Sequence, residues 1–224
     1  MGWGFRTGLT CRYLDAMLTS AMITIVDYGL GNVGSVANML KKVGARADIA
    51  TTPDELSRAA AIILPGVGHF DQGMKNLEER GLLGVLNDRV LGAGVPVLGI
   101  CLGVQLMARS SEEGSQVGLG WLAADVKRFR LDSSLTVPHM GWNEVEKVDP
   151  DLFEGSEQPR FYFVHSYHLV CDDTQDVAGW TTYGYRFASA VRRGHIFGTQ
   201  FHPEKSHRWG MTVLKNFVRI ATHG

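Results

Sequence analysis

Residues 95–103 read Val-Pro-Val-Leu-Gly-Ile-Cys-Leu-Gly, an apolar run that breaks where a buried strand hands over to a helix. Cys101 stands at the break, with Gly99 two residues before it and Gly103 two after. Small residues on both sides make room for a tight strand-to-helix turn, which lifts the middle side chain out of the sheet as in the nucleophile elbow of hydrolases. At a helix N-terminus, unpaired N–H groups and the helix dipole favour the thiolate, the nucleophilic form of cysteine. A cysteine in an apolar run also reads as a small buried hydrophobe. The stretch alone leaves both readings open, and only a base elsewhere in the chain decides between them.

Working outward, residues 194–201 (Gly-His-Ile-Phe-Gly-Thr-Gln-Phe) read as a second strand that runs into His202-Pro203-Glu204. His202 and Glu204 are two apart, so in an extended segment both lie on one side. Pro203 fixes its own φ and biases His202 toward extended geometry, which holds that spacing. The arrangement suits a Cys-His-Glu relay in which His202 takes the thiol proton and Glu204 accepts the other ring N–H.

Between and before these strands the chain alternates. Residues 22–27 form an apolar strand, 32–43 a helix with Val33, Val36, Met39, Leu40 and Val43 at helical spacing, 47–50 and 60–64 two more strands, and 70–87 one or two helices. Strands alternating with helices imply an α/β fold with a parallel sheet covered on both faces, its active residues at the carboxyl ends of the strands. After Gly120 shorter extended segments follow, at 121–130, 142–148, 161–164, 177–183 and 187–192, and read as antiparallel ribbons. A helix over 209–220, with Met211, Leu214, Phe217 and Val218 inward, closes the chain. Residues 1–21 mix scattered glycines with arginines and aromatics without strand alternation, and read as an extension outside a domain spanning 22–224.

The 224 residues and 45% hydrophobic content suit one well-buried domain. A formal net charge of −1 gives no basic stripe, which argues against nucleic acid and anionic membranes as partners. Three cysteines, Cys11, Cys101 and Cys171, are an odd number with no paired spacing and fit a reducing cytoplasm better than a disulfide scaffold.

Two glycine-rich stretches accompany the elbow. Gly29-Leu30-Gly31-Asn32-Val33-Gly34 matches G-x-G-x-x-G between a strand and a helix, so it reads either as a tight turn or as a dinucleotide site. Pro65-Gly66-Val67-Gly68 follows the 60–64 strand and should share a sheet edge with Cys101. Acyl chemistry at a thiolate develops an oxyanion, for which the Leu102 N–H and an N–H from Gly66, Val67 or Gly68 are candidate donors. His165, His168 and Cys171 lack the ligand spacing of a zinc site, and His139 and His207 read as polar surface or interface residues.

Gly-Ile-Cys-Leu-Gly at 99–103, Gln105, and Phe-His-Pro-Glu-Lys-Ser at 201–206 together resemble the class I (triad) glutamine amidotransferases, from Met22 to near the C-terminus. Asp27-Tyr28-Gly29-Leu30-Gly31-Asn32, Pro65-Gly66-Val67-Gly68-His69-Phe70, Pro138-His139-Met140-Gly141-Trp142-Asn143-Glu144 and Tyr162-Phe163-Val164-His165-Ser166-Tyr167 are similar to the HisH group within that class. The resemblance implies a flavodoxin-like three-layer fold, with a mostly parallel central sheet and an antiparallel C-terminal portion. It implies that Cys101 attacks the carboxamide of L-glutamine, that ammonia leaves with a proton from His202, and that water then releases glutamate. Gln105, Ser166 and Tyr167 match positions that hold the glutamine head group. No cofactor and no metal are implied.

The resemblance further implies a partner, a HisF-like (β/α)8-barrel cyclase that consumes the ammonia in histidine biosynthesis to make imidazole glycerol phosphate and an aminoimidazole carboxamide ribotide. Asn32, Trp142, Tyr162 and Lys205 match positions toward that docking face. Val104 and Trp121 depart from the expected pattern and resemble paralogues that feed ammonia to sugar-amidating enzymes. A nucleotide-binding module using Gly29–Gly34 would be indifferent to Cys101, and a thiol redox protein would need neither His202 nor Glu204.

Overall fold

The computed structural model describes residues 22–132 and 135–223. The extension expected at 1–21 lies outside the described residues. Five strands make the parallel half of an eleven-stranded sheet, in spatial order β2 (Arg46–Ala50), β1 (Met22–Val26), β3 (Ile62–Gly66), β4 (Val97–Cys101) and β13 (Ile196–Thr199). Beyond β13 the sheet turns antiparallel through β12 (Tyr185–Arg193), β10 (Tyr167–Cys171) and β6 (Ala124–Arg128), with the short β5 (Ser110–Ser111) pairing β6 in parallel at the edge. β11 (Val177–Tyr183) branches off β12 and pairs β8 (Glu146–Lys147). A separate two-stranded antiparallel sheet joins β7 (His139–Glu144) to β9 (Arg160–His165).

Alternation along each inner strand divides the core between the two sheet faces. Ile62 and Leu64 pack on one face and Ile63 on the other; Val97 joins the first, Leu98 and Ile100 the second. The first face is covered by α3 (Phe70–Glu79), α4 (Leu82–Asn87) and α5 (Leu102–Leu106), and the second by α1 (Val33–Lys42) and α6 (His207–His223). Leu214, Phe217 and Val218 of α6 are fully buried as expected, together with Val213.

Several boundaries differ from the sequence reading. The strand expected over 60–64 continues through Pro65 and Gly66, because β4 supplies parallel partners as far as the pair Gly66↔Cys101. The single strand expected over 142–148 is two: β7 ends at Glu144, Val145 turns into the core, and β8 joins the large sheet instead. Pro53–Leu56 forms a short helix, α2, closed by a Thr52–Glu55 capping box. Among the described residues no helix is long and apolar enough to cross a membrane.

Candidate active site

Register assembles the site. β3, β4 and β13 are adjacent and parallel, with Gly66 opposite Cys101 and Thr199 opposite Ile100. The carboxyl end of β13 therefore carries Gln200 alongside Cys101, and His202 follows just past the sheet edge. Cys101 adopts φ 53° and ψ −109°, a strained conformation for a residue with a side chain. The elbow tolerates that conformation because its flanks have no Cβ. A methyl on Gly103 would overlap the Leu64 carbonyl oxygen and lie 2.8 Å from its carbon, and one on Gly99 would lie 2.7 Å from Val104 Cα.

His202 is 1% exposed, and its Nδ1 lies 2.8 Å from Glu204 Oε1. Nε2 is buried without a hydrogen-bond partner among the described residues, while the Cys101 sulfur lies close enough to interact with the ring without closing a hydrogen bond of ordinary geometry. Burial opposes charging the ring, but Cys101 and Glu204 together outweigh it and push the His202 pKa up to about 9. The 3₁₀ turn Pro203–Lys205 keeps Glu204 beneath the ring. The backbone of His202 is anchored at both ends: its N–H donates to Tyr162 O at 3.0 Å, and its carbonyl accepts from the buried Ser206 hydroxyl at 2.6 Å.

A cleft of about 320 Å³ opens over Cys101, lined by Val67, Gly68, Leu102, Gln105, Glu113, Pro138, Val164, His165, Ser166 and Tyr167. It gathers the candidate head-group residues Gln105, Ser166 and Tyr167 with three of the four candidate oxyanion donors. The fourth, Gly66, is in β3 beside Cys101, where a Cβ would strike the Tyr28 hydroxyl and approach Leu102 Cβ to 2.8 Å. Asn32, Trp142, Tyr162 and Lys205 lie outside the cleft, and Asn32 caps α1 by accepting from Ser35 N at 3.1 Å.

The structure adds residues that the motifs did not single out. Gln200 bridges the site, accepting from Gln105 Nε2 at 3.0 Å and donating to Cys101 Sγ at 3.7 Å. Its position after an apolar strand was the available signal. Glu113 accepts from Phe70 N at 2.8 Å at the rim of the cleft. The Tyr28 hydroxyl is buried without a hydrogen-bond partner among the described residues; burial first, and Cys101 second, push its pKa up, so it stays protonated.

One expectation is corrected. His139 is 3% exposed rather than at the surface, stacked between Phe163 and Tyr183, because β7 turns His139 and Asn143 to its inner side and Met140, Trp142 and Glu144 to its outer side. His207 is exposed and stacks on Trp142. His165 and His168 are buried and bonded to Tyr167 O and the Tyr185 hydroxyl. The G-x-G-x-x-G turn is used internally: Gly29 packs against Arg80, Gly31 against Pro65, and Gly34, where a dinucleotide fold needs close packing, has nothing among the described residues within 4 Å of a Cβ position. Val104 and Trp121 both lie in the core, Trp121 donating to Asn87 Oδ1 at 2.8 Å.

The model of the family "Glutamine amidotransferase class-I" matches residues 24–221. The chain is 48% identical to "Imidazole glycerol phosphate synthase subunit HisH 2" of Methanococcus maripaludis and to the subunit of that name from Pseudomonas aeruginosa, in both cases over 89% of this chain and 100% of the relative. Leptospira interrogans has a HisH subunit at the same identity. Among solved structures, a glutamine amidotransferase superposes with a TM-score of 0.69 at 22% identity, covering 88% of this chain and 98% of that one. The glutaminase domain of Trypanosoma brucei CTPS with bound acivicin gives 0.61 at 15%, covering 91% and 94%. The fold thus matches at low identity, and sequence matches along nearly the full length of the relatives place the chain more narrowly: it belongs to the glutamine amidotransferase class-I family, within its HisH group.

Proposed function

We propose that this chain hydrolyses L-glutamine and passes the ammonia to a synthase subunit in histidine biosynthesis. Cys101 is the nucleophile. Its sulfur adds to the carboxamide carbon, the C–N bond breaks, and ammonia leaves with the proton His202 took from the thiol. Water, deprotonated by the same ring, then cleaves the γ-glutamyl thioester to glutamate. Glu204 holds the ring in the tautomer that presents Nε2 to the sulfur and stabilises its charged form. The Leu102 N–H and one from Gly66, Val67 or Gly68 face the developing oxyanion. Gln105, Ser166 and Tyr167 seat the head group, and Glu113 is the carboxylate available to its ammonium.

The observation that carries this reading is the strained Cys101 elbow packed beside a histidine whose far nitrogen is held by a buried carboxylate. The partner we propose is a HisF-like (β/α)8-barrel cyclase, docked as a heterodimer on Asn32, Trp142, Tyr162 and Lys205, with the complex working in the cytoplasm. Cys101→Ala tests the assignment. Glutamine hydrolysis by the complex should fall by about three orders of magnitude or more, while imidazole glycerol phosphate formation from added ammonium persists. Glutamine turnover that survives the substitution rules out the nucleophile, and an ammonium-fed partner that makes no imidazole glycerol phosphate rules out the pathway.

A further inference from the structure

Two of the buried histidines take no part in the chemistry above, yet every hydrogen between them is determined. Tyr167 O can only accept, and it lies 2.7 Å from His165 Nδ1, so that nitrogen carries the hydrogen. The neutral ring then has a bare Nε2, 3.0 Å from His139 Nδ1, which must donate to it. His139 Nε2 is bare in turn and accepts from Asn143 Nδ2 at 3.3 Å. The Asn143 amide is oriented independently: it donates to Thr182 O at 3.0 Å and accepts from Glu144 N at 2.8 Å.

On its other side Tyr167 O accepts from Gln105 Nε2 at 3.1 Å, and the Gln105–Gln200 bridge leads to Cys101. One carbonyl therefore joins a relay from β7 to the polar residues around the sulfur. Burial, with the rings of Phe129, Phe163, Tyr183 and Phe187 around the pair, holds both histidines neutral, at about 3 for His165 and about 4 for His139. The titratable neighbours of His165 are His139, His168 and His202. A proton on either ring would set two N–H groups against each other at one of the links.

We propose that His139 and His165 are positioning residues: with Asn143 they pin the Tyr167 carbonyl, and through it the Ser166–Tyr167 wall and the Gln105–Gln200 bridge, to the strand that carries exposed Trp142. The proposal rests on the reading of the cleft as a glutaminase site.

Long-range ¹⁵N correlation spectra of the whole chain test the relay without any assay. Both rings should carry their hydrogen on Nδ1 and stay untitrated from about pH 5.5 to 8. A hydrogen on Nε2 of either ring, or titration near 6.5, overturns the relay.

Labelling of Cys101 tests its consequence. With 6-diazo-5-oxo-L-norleucine, a glutamine mimic, His139→Leu and His165→Leu should label about tenfold more slowly, the scale of one lost buried hydrogen bond, while iodoacetamide labelling stays within about twofold. His139→Asn keeps a donor at the Nδ1 position and should recover most of the loss. Unchanged labelling by the glutamine mimic in His139→Leu refutes the positioning role. A wild-type chain that the mimic never labels even with the synthase subunit bound sinks the glutaminase reading instead, and the ring tautomers then judge the relay alone.

Discussion

The proposed triad was readable because its parts are short-range or punctuated. Glycines two residues either side of Cys101 announce the elbow, and Pro203 fixes the spacing that sets Glu204 2.8 Å from His202. Gln200 and Tyr28 carry no such punctuation. A glutamine at the end of an apolar strand and a tyrosine after another become neighbours of the sulfur only through parallel register. The charge on His202 gives this arrangement a pH signature. Folding raises its pKa from 6.5 to about 9, so the stability it contributes is complete below about 6.5 and is lost as pH rises through about 9. Removing the sulfur or the carboxylate removes a cause of the rise. In Cys101→Ala and in Glu204→Gln the His202 ring should titrate below the wild-type value by NMR, and the fall in Tm between pH 6.5 and 9 should be shallower than in the wild type. A ring that titrates at the same pH in both variants contradicts the coupling.

At the scale of elements, the parallel half of the sheet was legible because its inner strands β1, β3, β4 and β13 are buried and read as largely apolar runs, while the edge strand β2 is mostly exposed. The small sheet was not, because β7 inverts the usual alternation. His139 is buried while Met140 and Trp142 on the other side are 61% and 39% exposed. Sequence patterning assigns apolar side chains to the core, so a strand whose apolar face awaits another surface is misread. Packing between elements also separates two glycines that look equivalent in sequence. Gly103→Ala forces a methyl into the Leu64 backbone, which cannot yield without parting β3 from α5, and should cost about 3 kcal/mol or more by denaturant unfolding. Gly34→Ala in α1 meets open space and should be neutral or stabilise by up to about 1 kcal/mol. A large loss at Gly34 would instead revive a close-packed nucleotide turn.

At the scale of the molecule, the exposed side of β7 and β9 forms one aromatic surface with the start of α6. Trp142 stacks on His207 with ring centroids 5.4 Å apart, meets Tyr162 edge-on and lies tilted against Trp209. Lys205 lies 5.8 Å over the Tyr162 ring, and Arg208 4.6 Å over Trp209. This surface is wired to the site in two places: the Tyr162 carbonyl accepts the His202 N–H, and Asn143, the neighbour of Trp142, begins the histidine relay. A partner seated here would press on the strands that hold His202 and the proposed glutamine wall, so docking and hydrolysis should be coupled rather than merely simultaneous. Trp142 is the largest exposed aromatic on the surface, and its truncation tests the arrangement. Trp142→Ala should weaken association with the synthase subunit by about tenfold or more in calorimetric titrations, the scale of a central aromatic anchor. Tm should change little, because the ring is partly solvated in the free chain. At saturating partner, the stimulation of glutaminase turnover should also fall. Unaltered affinity with Trp142 gone would move the docking face elsewhere on the molecule, and weakened affinity with full stimulation at saturation would show that the surface binds without transmitting.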